Sequence, residues 1–190
     1  MNGSALQKTT LGLSHRTWAS VALESLLLML LGAIAITLHA RMRTPLNIPG
    51  HHGLEFMAIF ILSRMGSNLK FAGSISSMGI GILLLFPVLG FKDPFMGFNY
   101  MLPGFLLDVL FLSFPAWRKK LLFLTIISGL AYFTIPLSRL ILMTGTGYPY
   151  NSFIKHGFAT PLISFFVFGL AGGLLGAGFI YSWKKITKKR

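Results

Sequence analysis

Six apolar stretches dominate this 190-residue sequence, and each is long enough, or nearly so, to cross a bilayer as a helix. A hydrocarbon core about 30 Å thick takes roughly 20 helical residues, within a range of about 17–25. The stretches are residues 18–39, 53–69, 72–89, 98–114, 120–142 and 157–183. Glu24 is the one acid of the first; the second carries Glu55 and Arg64, and the third has no charge. The fourth contains Pro103 and Asp108, the fifth Pro136 and Arg139, and the sixth is rich in glycine and phenylalanine. The second and fourth are the least regular, and a tilted, broken or re-entrant segment fits them as well. Composition points the same way, with 54% of residues hydrophobic and only 11% charged. A soluble chain of this length has too little interior to hide that much apolar surface. The expected fold is all-α, an integral membrane bundle of six transmembrane helices forming a single domain over residues 1–190. Cysteine is absent, which excludes disulfides, thiolate metal sites and cysteine nucleophiles.

The charge balance is lopsided, 17 Lys and Arg against 4 Asp and Glu. Assigning the connections alternately to two sides puts Lys8, Arg16, Arg64, Lys70, Arg118, Lys119, Lys120, Lys184, Lys185, Lys188, Lys189 and Arg190 on one side. Arg41, Arg43, Lys92, Arg139 and Lys155 fall on the other, a split of 12 against 5. Positive residues mark the cytoplasmic side, so both termini are expected in the cytoplasm of a multi-pass protein of the cell membrane. Residues 1–17 form the cytoplasmic N-terminal segment and lack a short apolar region with a small-residue cleavage site, so the first span reads as a retained anchor. Residues 184–190 form a basic tail suited to topology and to anionic lipid contact. The positives thus report orientation, and nucleic acid is not an expected partner. The connections, residues 40–52, 90–99 and 143–156 outside and shorter ones inside, leave no room for a soluble domain.

Under this topology His39, His51, His52 and His156 lie at outer helix ends or loops, with Tyr100, Tyr148, Tyr150, Asn47, Asn99 and Asn151. An aromatic interfacial belt accounts for the tyrosines; four histidines suggest an external ligand pocket. The densest cluster is NIPGHHGLE, residues 47–55. Pro-Gly makes a turn, and a helix beginning near His51 sets His51 and Glu55 four apart and His52 and Glu55 three apart, close to one face. Two imidazoles and a carboxylate can hold a divalent metal as cargo, hydrogen-bond an organic ligand, or leave Glu55 simply favouring the helix N-terminus. The spacing is not HExxH, so a zinc protease is excluded, and five histidines are too few for a membrane di-iron oxygenase.

Within the bilayer Glu24, Arg64, Asp108 and Arg139 are costly unless paired or facing water. Pairing of Glu24 or Asp108 with Arg64 is structural. Arg139, three residues beyond Pro136, is the better candidate for gripping an anion, because a guanidinium holds a carboxylate in bidentate fashion. Rows of small residues, Gly73–Ser77–Gly81, Gly169–Gly173 and Gly172–Gly176, let helix backbones approach, and one of them is free to face another subunit. No phosphate-binding loop, nucleophile elbow or dinucleotide fingerprint is present.

The six-span layout, PLNIPGHHGLEF leading into the second span and NYMLPGFLLDVLF in the fourth together resemble the substrate-binding S component of an energy-coupling factor (ECF) transporter. That resemblance covers nearly the whole chain. It implies capture of a vitamin, vitamin precursor, metal or metal chelate from outside, by a subunit that is not itself an enzyme. It also implies a transmembrane T component and two cytoplasmic ATPase subunits as partners, and toppling in the membrane to release cargo. The family's Ala-xxx-Ala docking row is missing: Ala19, Ala22, Ala33 and Ala35 include no pair four apart, and the small-residue row of the third span is a possible substitute. In this reading residues 40–50 and the loops around Asn99 and 148–151 cap a small-molecule pocket, and Phe or Tyr rings stack on the ligand. Asn47, His51, His52, Glu55, Asn99, Tyr100, Arg139, Tyr148 and Asn151 supply its contacts. The alternatives are a small integral-membrane enzyme acting on a lipid or isoprenoid, centred on His51, His52 and Glu55, and a structural subunit using its glycine rows.

Overall fold

The computed structural model describes residues 17–41, 48–86 and 89–187. Asn47, most of the N-terminal segment and the last three residues of the basic tail lie outside them. The described residues form seven helices: α1 (Trp18–Arg41), α2 (Gly53–Gly66), α3 (Ala72–Leu84), α4 (Met96–Ser113), α5 (Leu121–Thr146), α6 (Asn151–His156) and α7 (Ala159–Thr187), with a 3-10 turn at Pro115–Trp117. The fold is therefore all-α, and its core is shared by one continuous cluster from α1 to α5 and α7.

Four helices, α1, α4, α5 and α7, are long and apolar enough to cross a membrane. The distribution of polarity suits that solvent. Leu23, Leu26, Leu27 and Leu30 of α1 are each more than half exposed, while Ser63, Arg64, Ser76, Ser77, Asn99, Asp108, Ser128 and Ser138 are buried. An apolar exterior of this extent around a polar interior fits hydrocarbon surroundings and not water. The chain is a membrane-embedded helical bundle.

The second and third stretches form helices shorter than the sequence suggests. α2 ends at Gly66 instead of residue 69, and α3 ends at Leu84 instead of residue 89. At 1.5 Å per residue they rise about 21 and 20 Å, less than a hydrocarbon core. α2 is nonetheless deeply placed, packed by α7, α1, α3 and α5, with Phe56, Met57, Phe60 and Ile61 fully buried. A helix sheathed in protein need not match the bilayer's thickness. α4 and α5 run unbroken through Pro103 and Pro136.

In lipid, helices gain little from leaving the solvent and associate through close van der Waals contact. Glycine supplies that contact. Gly32 of α1 lies against the Ser76 carbonyl of α3, and Gly79 of α3 against the Met29 carbonyl of α1. Gly172 and Gly176 of α7 lie on the backbones of Gly53, Leu54 and Ala58 in α2, and Gly169 and Gly173 face Ser128 and Gly129 in α5. The row Gly73–Ser77–Gly81 is turned onto α4, against Gly104, Asp108 and Met101. These rows are consumed within the chain, which corrects the idea that the third-span row is open for docking.

Two groups of polar residues mark opposite ends of the bundle. At one end Asp108 of α4 accepts hydrogen bonds from the backbone N–H groups of Gly73 (3.1 Å) and Ser74 (2.6 Å) and from the Ser74 hydroxyl (2.8 Å). It thereby caps the start of α3 from another helix, satisfying donors that α3 cannot satisfy itself. Arg64 completes the pair through Nη1 at 3.3 Å and also donates to the carbonyls of Leu69 and Lys70. The pairing of Asp108 with Arg64 is as the sequence suggests. Glu24 instead accepts from the Ser67 hydroxyl and Asn68 N–H. The opposite end holds the candidate site.

Candidate functional site

The polar end is built by the Pro49-Gly50 turn that the sequence suggests and by a short helix that its pattern does not show. Gly50 has φ of 81°, and a side chain there would strike the Phe165 ring of α7. This glycine lets the chain turn tightly into α2 and brings His51 and His52 inward. After α5, Gly147 (φ 70°) stops the helix by donating to the Met143 carbonyl. The chain then crosses the end as Tyr148–Pro149–Tyr150 and enters α6, a six-residue helix packed on α7.

A cavity of about 450 Å³ lies beneath these segments. His39 closes it from the end of α1, His51 and His52 from the turn before α2, and Tyr100 from α4. Arg139 of α5, Phe165 of α7, Phe91, Lys92 and Asp93 before α4, and Tyr148 to Ser152 complete the wall. Its volume falls in the range of about 300–1,000 Å³ usual for small-molecule sites.

The three imidazoles are contiguous. His39 and His52 have ring centroids 4.7 Å apart, and His51 and His52 3.9 Å apart. Hydrogen bonds assign the tautomers of His51 and His52. His51 Nδ1–H donates to the Ile48 carbonyl (2.7 Å), leaving Nε2 buried without a partner. His52 Nδ1–H donates to Glu55 Oε1 (2.7 Å), which turns Nε2 of this ring away from the carboxylate. Arg139 Nη2 donates to the Tyr100 hydroxyl (3.5 Å), and that hydroxyl shares a hydrogen bond with His39 Nε2 (2.8 Å). His39 Nδ1 is buried without a partner.

Arg139 is the principal cation. Its guanidinium stands over the rings of Tyr100 and Tyr150, 5.5 Å from each centroid. Its long bond to Tyr100 is its one hydrogen bond among the described residues, and its Nε is buried without a partner. No carboxylate among the described residues forms an ion pair with it. Asn99 acts behind the wall, donating to the Tyr150 hydroxyl (3.3 Å) and accepting from Ser138 (2.7 Å). Burial pushes the Tyr150 phenol above its ordinary value, against the opposing effect of the Asn99 bond, so it remains a neutral hydroxyl.

Of the nine residues that the sequence nominates, His51, His52, Tyr100, Arg139, Tyr148 and Asn151 line the cavity. Glu55 stands behind His52 as its acceptor, and Asn99 is fully buried, bracing Tyr150. Asn47 lies outside the described residues. Of the expected metal set His51, His52 and Glu55, Glu55 accepts from His52 and His51 turns back to Ile48, and no three His, Asp or Glu among the described residues are placed to share a metal. His39 is a wall residue the sequence reading set among the outer histidines without nominating. Its position at the end of the first span was the available signal.

Compared with family models, curated proteins and solved structures, the chain matches none of them.

Proposed function

We propose that this protein is the substrate-capture subunit of an ECF-type importer in the cell membrane, taking a small molecule from outside into the cavity at the histidine end. One observation carries the reading: an open-mouthed cavity of about 450 Å³ whose wall gathers His39, His51, His52, Tyr100 and Arg139, with the Arg139 guanidinium paired to no carboxylate of the described residues. A charge without a protein counter-ion at a concave wall suits a ligand that supplies one. The charge distribution supports the orientation. Arg64, Lys70, Arg118, Lys119, Lys120, Lys184 and Lys185 gather toward the end away from the cavity, which is cytoplasmic by the positive-inside tendency. In this topology α2 and α3 complete six spans and both termini are cytoplasmic. The loops 148–152 and 48–52 would then be the outer gate, and partner ATPases and a transmembrane T component would drive release.

A second reading has one observation in its favour. The His52–Glu55 pair is the orienting half of a general base, as a membrane enzyme acting on a lipid or isoprenoid would need. Among the described residues no hydroxyl is hydrogen-bonded to His52 Nε2 to serve as its nucleophile, and the capture reading is preferred. Purification of the full chain from its native membrane in mild detergent separates the two. Capture predicts that a T component and two ATPases copurify. Isolation without them, together with turnover of a prenyl or acyl lipid by the pure chain, would contradict it.

A further inference from the structure

We infer that the cavity's ligand is a small, flat heterocyclic monocarboxylate, its carboxylate held by Arg139. This inference rests on the capture reading and names the chemistry that the site would select. Three features fix the class. The first is charge. Lys92 and Arg139 are the two cations of the wall and Asp93 its one anion, so the wall accommodates one further negative charge. Asp93 does not neutralise Arg139: the two form no ion pair, and Asp93 Oδ1 accepts the Phe95 N–H at 2.9 Å. A guanidinium left at this depth with one long hydrogen bond has most of its five donors to offer, and a carboxylate matches that fork. A phosphate ester, carrying up to two charges, fits the wall's balance less well.

The second feature is an unspent imidazole atom. His52 Nδ1–H donates to Glu55, which leaves Nε2 of this partly exposed ring as an acceptor at the wall with no partner among the described residues. A heterocycle with an N–H donor satisfies it; a simple fatty acid does not. The third is the set of rings around the space, Phe91, Tyr148, Tyr150 and Phe165, which favours a flat partner over a globular one. Arg139 is already fixed between Tyr100 and Tyr150, so little side-chain order remains to be lost on binding.

Mass spectrometry of the small molecules released from the full-length chain, purified from expression-host membranes, tests this directly. Wild type, Arg139→Gln and Arg139→Lys are compared after circular dichroism has shown which variants retain the helical fold. The expected result is a retained heterocyclic monocarboxylate, depleted at least about tenfold in Arg139→Gln and less in Arg139→Lys, which keeps the charge but not the fork. If the glutamine variant does not fold, depletion in the lysine variant decides. A retained molecule that is neutral, cationic or phosphorylated would overturn the monocarboxylate while leaving capture intact. A carboxylate retained equally by every folded variant would overturn the role of Arg139. Retention of no small molecule would overturn the capture reading and this inference with it.

Discussion

The two ends of this bundle treat an arginine in opposite ways. Arg64 meets Asp108, and both carboxylate oxygens of that aspartate are filled by Arg64, Gly73 and Ser74. Arg139 has two aromatic rings, one long bond to a phenol and no carboxylate partner. An unpaired charge in a fully buried position costs several kcal/mol; Arg139 is only partly buried and lines the cavity, so it is carried at little cost and without holding the fold. The contrast separates a charge that holds the fold from one held in reserve. Histidine follows the same division, because His39, His51 and His52 all lie at the Arg139 end and line its cavity.

The comparison can be broken at either end. The largest effect is expected at Asp108. Asp108→Ala strands Arg64 and uncaps α3, and should cost about 3–5 kcal/mol, read as a large drop in the thermal midpoint of the detergent-solubilised chain. Next comes the seam between α7 and α2. Gly172→Leu forces a side chain into the Gly53 and Leu54 carbonyls; overpacking of this kind costs about 1–3 kcal/mol, read as a lowered thermal midpoint. Arg139→Gln should do the reverse of Asp108→Ala. Its effect on the midpoint should stay within about 0.5 kcal/mol, while retention falls by about tenfold, or about 1.4 kcal/mol. Tyr150→Phe removes only the 3.3 Å bond from Asn99, and a loss of about 0.5–1.5 kcal/mol is its upper range. Glu55→Gln is expected to be the mildest, because the amide oxygen can still accept from His52 Nδ1–H; an affinity change beyond a few-fold would show that the charge itself matters.

The legible part of the molecule was what periodicity and charge carry over long segments. Apolar length alone marks α1, α4, α5 and α7, and the solitary charges within them mark Asp108 and Arg139. Two shorter elements behaved differently. α2 and α3 end early because their lengths are set by what packs around them: the apolar run of α3 continues past the helix into Leu85 and Phe86, whereas α2 stops before Ser67 and Asn68. α6 was missed because six residues hold less than two turns, too few for a period to register. The histidine cluster shows how far spacing reaches. The i,i+3 pair of His52 with Glu55 formed, but the i,i+4 pair of His51 with Glu55 did not, since α2 begins at Gly53 and His51 still belongs to the turn and bonds Ile48. His39 and Tyr100 are 61 residues apart, and nothing in either local sequence shows that one would hold the other at 2.8 Å.

The contrast between the ends reduces to one paired measurement: thermal midpoint and retained small molecule, determined on the same preparations of wild type, Arg139→Gln and Asp108→Asn. The account predicts that Arg139→Gln keeps the wild-type midpoint and loses the molecule, whereas Asp108→Asn lowers the midpoint and retains the molecule in whatever fraction remains folded. An Arg139→Gln protein that melts as early as Asp108→Asn and still carries its full complement of ligand would contradict it.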